Sequence, residues 1–131
     1  MGQQESKAQP LSELKKLDPR YLAPEHVKGF EHHVAEGDGY SAWMLHKYYA
    51  HQHDPKAGEY LLLAANRGVP EAQCSYYAIL IQNPDRKVRE SAVIWLKKAA
   101  AQGYEPAKEW LGHHDEVLRL SDLRHASSQK P

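Results

Sequence analysis

Hydrophobic and small residues recur at the same spacing in two stretches of the chain, residues 57–68 and 92–103. Both stretches follow the pattern A-x-x-[aromatic]-L-x-x-A-A-x-x-G, and they begin thirty-five residues apart. The leucine, the alanine pair and the glycine stand at positions i, i+3, i+4 and i+7, which lie on one face of an α-helix. The small alanines let a second helix pack closely, and the glycine suits a C-terminal cap with positive φ. The pattern and its period therefore predict a helical repeat array.

Further helices are predicted on either side of these copies. A weaker third copy ends at Gly37, with His33 in place of a small alanine. A small residue and then a large one follow each motif glycine at four and eight residues, which predicts a partner helix, here called an A helix, after each motif helix. A short amphipathic helix from Leu11 to Leu17 comes before all of these. The helices are expected over residues 24–36, 39–51, 57–68, 70–82, 92–103 and 105–124, the last being a longer cap that seals the end of the array.

This reading makes the chain one all-α domain. We expect residues 1–10 to be a disordered leader, residues 11–125 to be a single repeat domain, and residues 126–131 to be a tail. The helix pairs within the domain are expected at about 24–51, 56–82 and 89–124. Turn signals at His53-Asp54-Pro55 and Asn83-Pro84-Asp85 separate each A helix from the next motif helix.

The charge balance narrows the class of partner. Lysine plus arginine equals aspartate plus glutamate, 17 of each, so the formal net charge is zero. This argues against nucleic acid and against an anionic membrane surface, because both reward a basic excess. No apolar run approaches the ~20 residues of a membrane-spanning helix. The one cysteine rules out an intrachain disulfide, and the N-terminus has no apolar segment of the kind found in an intact signal peptide.

The two motif blocks and their continuations, Glu71-Ala72-Gln73 and residues 105–112, resemble Sel-1-like repeats, which are α/α repeats related to tetratricopeptide repeats. The resemblance covers about residues 24–120. It implies a short right-handed α/α solenoid of helix hairpins that acts as a protein-binding scaffold, commonly in bacteria or in secretory-pathway adaptors. The L-G-x-x-Y pattern typical of the family's A helices is incomplete here, since only Leu111-Gly112 keeps the Leu-Gly pair. Regular packing of the A helices is therefore in question.

No motif in the chain indicates catalysis or a cofactor. A phosphate-binding loop, a nucleophile elbow and a zinc-binding H-E-x-x-H helix are all missing from the sequence. Cys74 has no nearby basic residue to activate its thiol, so we expect it to be a small residue in a packed helix. A hydrolase that uses this thiol is a third alternative. The histidine clusters His51/His53 and His113/His114 lack the spacing of a structural zinc site, and we expect no metal.

The resemblance implies where a partner would bind, because tetratricopeptide relatives present one face of each A helix to a concave groove. Carried onto this chain, the groove positions are Tyr40, Trp43, Lys47, His51, Glu71, Cys74, Ala78, Gln82, Glu109, His113 and Glu116. The acidic lean of this set favours a partner segment with lysine or arginine. Leu45, Tyr49, Tyr76 and Leu80 are expected in the core instead. Tyr40 and Trp43 are left open between core and interface.

The functional expectation is a non-catalytic protein–protein interaction scaffold. Its more specific form is a bacterial immunity or adaptor protein, in the cytoplasm or the periplasm, that binds and blocks a cognate toxin, effector or secretion component. The expected oligomeric state is a monomer or weak dimer. The alternative is a periplasmic protein that binds a metal or small ligand through its histidine clusters.

Overall fold

The computed structural model describes residues 9–128, and every regular element in this range is helical. The all-α class is therefore confirmed, whereas the right-handed solenoid stays a prediction. The leader and tail predictions at residues 1–8 and 129–131 lie outside the described residues. The α-helices are α1 (Leu11–Leu14), α2 (Pro24–Ala35), α3 (Gly39–His51), α4 (Lys56–Asn66), α5 (Pro70–Leu80), α6 (Arg86–Ser91), α7 (Val93–Ala101) and α8 (Glu105–Ser128), and a 3-10 helix covers Pro19–Tyr21.

The backbone divides into two compact units between Arg67 and Gly68, where a single repeat domain was expected. The boundary falls between α4 and α5, inside the second predicted helix pair. In the N-terminal unit, α3 packs against both α2 and α4. Its core is formed by the buried side chains of Leu14, Leu22, Phe30, Met44, Leu45 and Tyr49.

The C-terminal unit is built from α5 to α8, with α7 packed against both α5 and α8. Its core contains Tyr77, Ile81, Ala92, Leu96, Ala99 and Ala107. Most motif positions are buried as their spacing predicts. In the first copy Leu61, Ala64 and Ala65 are buried, and in the second Leu96 and Ala99 are fully buried while Ala100 is half-buried.

The motif glycines end their helices as predicted. Gly37, Gly68 and Gly103 all have positive φ, between 84° and 105°. At Gly103 the N–H donates to Ala100 O, and the next N–H, that of Tyr104, donates to Ala99 O. These two bonds satisfy carbonyls that the end of a helix otherwise leaves unpaired, and they require a left-handed residue, for which glycine has no steric penalty.

Several helix boundaries differ from the sequence prediction. The first helix ends at Leu14, where Leu17 was expected. The helix of the second motif is interrupted at Ala92, because the N–H of Ala92 bonds to Arg89 O and that of Trp95 to Ala92 O, so the local bonds are three residues apart instead of four. The tail prediction is wrong for residues 126–128, because α8 continues to Ser128. Ser121 Oγ donates to Ile81 O at 2.7 Å, which ties this late part of α8 to the end of α5.

Candidate functional site

The predicted groove positions on α3 lie in the N-terminal unit and offer little aromatic surface. Trp43 is only 8% exposed. Its ring stacks on His46, with ring centroids 5.2 Å apart, and Lys47 Nζ lies 4.9 Å from the Trp43 ring centroid. Tyr40 is half-buried against the core of this unit, while His51 is exposed and meets the ring of Tyr21 edge-on. The question left open for Tyr40 and Trp43 is thus answered mainly in favour of packing.

Of the four positions expected to be core, two are buried and two are half-buried. Leu45 is fully buried and Tyr49 is 8% exposed. Tyr76 and Leu80 are half-buried: Tyr76 meets Trp95 edge-on at 5.1 Å, and Leu80 packs against the core of the C-terminal unit.

In the C-terminal unit, α5 and α8 enclose an open groove of about 510 Å³, here called the α5–α8 groove. Cys74, Ala78 and Gln82 line its α5 side, and these are three of the positions predicted from the family resemblance. The other lining residues are Ser75, Tyr77, Ile81, Leu96, Trp110, Val117 and Arg124. Apolar side chains thus form most of the groove, and polar groups stand at its edges.

A second, shallow and open hollow is formed along the start of α8 by side chains of this helix, and it shares Trp110 and Val117 with the α5–α8 groove. Its other lining residues include Glu105, Glu109 and His113. The structure therefore brings five predicted residues to one surface, namely Cys74, Ala78, Gln82, Glu109 and His113. Glu71 and Glu116 line neither hollow.

Trp110 connects the two hollows. Apolar residues recur at helical spacing along α8, and Trp110 belongs to this stripe with Leu111 and Val117, yet its side chain is 51% exposed. The buried centre of α8 consists of Ala107, His114 and Ser121, which stand seven residues apart. At 100° per residue, Trp110 is about 60° around the helix from Ala107 and about 40° from His114. The seven-residue spacing of the buried residues is the signal in the sequence that shows which side of α8 faces the core. Val117 and Arg124 stand seven and fourteen residues after Trp110, so they lie on the same side of the helix and line the groove with it.

A buried polar contact lies directly behind the groove. Tyr77 Oη and His114 Nδ1 are hydrogen-bonded at 2.9 Å, and His114 is 7% exposed. Burial lowers the pKa of His114. The charge of Asp115 opposes this shift, and the charge of Lys97 adds to it. Burial also raises the pKa of Tyr77. The neutral forms of both side chains are therefore favoured at the packed side of α8.

The same geometry separates the histidines of the predicted metal alternative. His113 is exposed at the second hollow, whereas its neighbour His114 is buried against Tyr77. Within residues 9–128, no three His, Cys, Asp or Glu side chains come together in a way that could hold a metal ion.

Cys74 lies half-buried on the wall of the α5–α8 groove. Burial raises the pKa of its thiol, and the charge of Glu71 raises it further. A nucleophilic cysteine needs the opposite shift, because the thiolate is the reactive form. The environment of Cys74 therefore favours a packing role for this side chain.

Opposite charges stand at the two ends of the surface along α8. Glu105 and Glu109 lie at the N-terminal end, where Lys108 Nζ is 3.1 Å from Glu105 Oε2. Arg124 lies at the C-terminal end of the α5–α8 groove.

In the part of the chain that the structure describes, no helix is both long enough and apolar enough to cross a membrane.

Comparisons of this chain with protein-family models, with curated proteins and with solved structures return no match.

Proposed function

We propose that this chain is a non-catalytic protein-interaction module of the Sel-1-like repeat type, and that it holds a segment of another protein along α8. The observation that carries the proposal is Trp110. Its half-exposed indole lies where the α5–α8 groove meets the second hollow, next to apolar side chains of both helices. Tryptophan is among the residue types that most often dominate binding energy at protein interfaces.

The repeat type is supported by how the two motif blocks fold. Each block ends in a glycine with positive φ, and each buries its leucine and at least the first alanine of its pair. These are the features that the A-x-x-[aromatic]-L-x-x-A-A-x-x-G pattern predicts for the structural half of a helix hairpin. Each motif helix is followed by another helix, α5 and α8 respectively, and these two carry the groove.

The length of the surface favours a peptide segment over a compact small ligand. The two hollows together follow α8 from Glu105 to Arg124. At 1.5 Å per residue this part of the helix is about 28 Å long. A surface of this length accommodates an extended or helical segment that places one apolar side chain against Trp110.

The charges at the two ends add an expected orientation. Glu105 and Glu109 favour lysine or arginine at one end of the bound segment, and Arg124 favours an acidic residue at the other. This refines the prediction of a basic partner, which was drawn from the acidic lean of the groove positions alone.

As a more specific form, we propose a bacterial immunity or adaptor protein that blocks a cognate toxin or effector. The support is a charge-balanced helical scaffold with an exposed aromatic anchor. Its test is protection of cells that express a toxin encoded beside this gene: Trp110→Ala should abolish protection, and a variant that protects as well as the wild type would contradict this form.

The general proposal is tested by affinity capture from the source cells with three forms of the chain. Trp110→Ala removes the anchor, and Ile94→Ala is the matched control because Ile94 on α7 is also 51% exposed. We expect a partner in about 1:1 ratio with the wild type and with Ile94→Ala, and its loss with Trp110→Ala. With the purified partner, Trp110→Ala should raise Kd by about 30-fold, the size of a 2 kcal/mol anchor. Equal capture by all three forms, or no stoichiometric partner, would overturn the proposal.

A further inference from the structure

The outer face of α8 carries two large apolar side chains that the groove does not use. Leu120 is 52% exposed and Leu123 is 56% exposed. Leu120 is about 80° around the helix axis from Trp110, and Leu123 lies further round in the same direction. The core contacts of this helix are made from its other side, by Ala107, His114 and Ser121. Two adjacent half-exposed leucines on one helix face are typical of a helix–helix contact surface.

The charges around Leu120 are arranged symmetrically. Glu116 stands four residues before Leu120 and Arg124 four residues after it, so each lies about 40° from Leu120 on opposite sides. When two copies of this helix pack antiparallel about a two-fold axis at Leu120, Glu116 of each copy faces Arg124 of the other. Parallel packing in the same register places Glu116 beside Glu116 and Arg124 beside Arg124. Only the antiparallel arrangement makes the face complementary to itself.

We propose that the outer face of α8, defined by Glu116, Leu120, Leu123 and Arg124, is the contact surface for a second copy of this chain in an antiparallel two-fold dimer. In this arrangement Leu120 packs on Leu120 of the second copy, and Leu123 flanks this contact on the same helix face. The zero net charge of the chain leaves no overall repulsion between the copies. The two proposals share Arg124, which lies at the edge of the α5–α8 groove. The dimer does not rest on the proposed function, because Leu120 and Leu123 lie outside both hollows and Leu120→Asp leaves Trp110 in place.

The existing partner of Glu116 is compatible with the pairing. Arg119 Nη2 lies 2.6 Å from Glu116 Oε1 and holds the carboxylate on the surface of α8. A carboxylate can accept about four hydrogen bonds, so Arg124 of the second copy adds to this contact instead of displacing it. One helix face buries less than the ~1,200 Å² of a standard stable interface. The dimer should therefore be weak and concentration-dependent.

The apolar part of the surface is tested by sedimentation equilibrium of the full chain over a range of concentrations up to about 1 mM, where a weak interface of this size should assemble. Leu120→Asp should raise the dimer Kd by more than about tenfold. Ile79→Asp is the matched control, because Ile79 on α5 is 53% exposed and lies off this face, and it should leave the dimer unchanged. A wild-type chain that stays monomeric, or a dimer that Leu120→Asp leaves intact, would overturn the proposal.

The antiparallel register is tested by charge reversal. Glu116→Arg and Arg124→Glu should each weaken the homodimer, because each places like charges opposite one another twice. Mixing the two variants should restore association, since both pairs in the mixed dimer are then of opposite charge. The double variant should restore the homodimer for the same reason. Circular dichroism of each variant checks that α8 remains helical. If the single variants weaken association and neither the mixture nor the double variant restores it, the antiparallel register is wrong.

Discussion

Acid should destabilise the C-terminal unit through His114. The imidazole is 7% exposed, its Nδ1 lies 2.9 Å from Tyr77 Oη, and burial lowers its pKa. An unfolded histidine has a pKa near 6.5, so below that value the unfolded chain binds this proton more readily than the folded chain does. The stability contributed by neutral His114 is therefore complete above about pH 6.5. It is lost as the pH falls further, by at most about 1.4 kcal/mol per pH unit, until the folded-state pKa is reached.

The measurement is urea unfolding of the wild type and of His114→Gln at several values between about pH 7.5 and 5.5. Glutamine can still pair with Tyr77 Oη but does not titrate, so the variant should lose less stability than the wild type on acidification. His113→Gln is the control, because it removes an exposed imidazole from the adjacent position. It should keep the wild-type slope. Parallel pH profiles for the wild type and His114→Gln, or a wild type that becomes more stable in acid, would refute the reasoning.

Three further predictions concern stability and are also measured by urea unfolding at neutral pH. Leu96→Ala should lower the free energy of unfolding by about 2–5 kcal/mol, because Leu96 is fully buried in the core. Ile94→Ala is the control and should change it little, since Ile94 on the same helix is 51% exposed. Equal losses would contradict the core assignment. His53→Gly should raise the free energy of unfolding by about 0.5–1 kcal/mol, since His53 has a φ of 57° that glycine adopts without strain. A lower free energy of unfolding would show that the His53 side chain stabilises the fold by more than its left-handed backbone destabilises it. Gly103→Ala should lower the free energy of unfolding by about 1 kcal/mol, because Gly103 has a φ of 84° that alanine adopts only with strain. Steric clash is not the cause, since an added Cβ meets no atom within 4 Å. An unchanged stability would contradict the cap assignment.

Helix positions were largely predictable because their signals are local. Pro24 and Gly39 begin helices at the residues expected, and Gly37 and Gly103 follow the ends of helices that their spacing marked. At His53 a residue other than glycine takes the left-handed backbone conformation that ends a helix. It takes the same left-handed position after α3, with its N–H bonded to Ala50 O and that of Asp54 to Tyr49 O. The sequence predicted a turn here from Asp54 and Pro55, but it did not predict that His53 would adopt a left-handed backbone.

The groove was only partly predictable, because its position depends on which side of α8 faces the core. The family resemblance pointed to Cys74, Ala78, Gln82, Glu109 and His113, and the structure brings these five to one surface. It also pointed to Trp43, which lies in the N-terminal unit and is nearly buried against its own neighbours. A tryptophan on an amphipathic helix fits the core and the surface almost equally well, and the pattern by itself does not choose between them.

The amino-acid sequence alone determined the helical class, the glycine caps and most of the buried motif positions, since the first two follow from local backbone hydrogen bonds and the third from the helical spacing of apolar residues. The tertiary structure decided that His114 is buried on Tyr77 and that Trp110 is exposed between two hollows. Both outcomes depend on how α8 is rotated against α5 and α7. That rotation is set by packing between residues distant in the chain, such as the hydrogen bond from Ser121 to Ile81, and no local pattern encodes it.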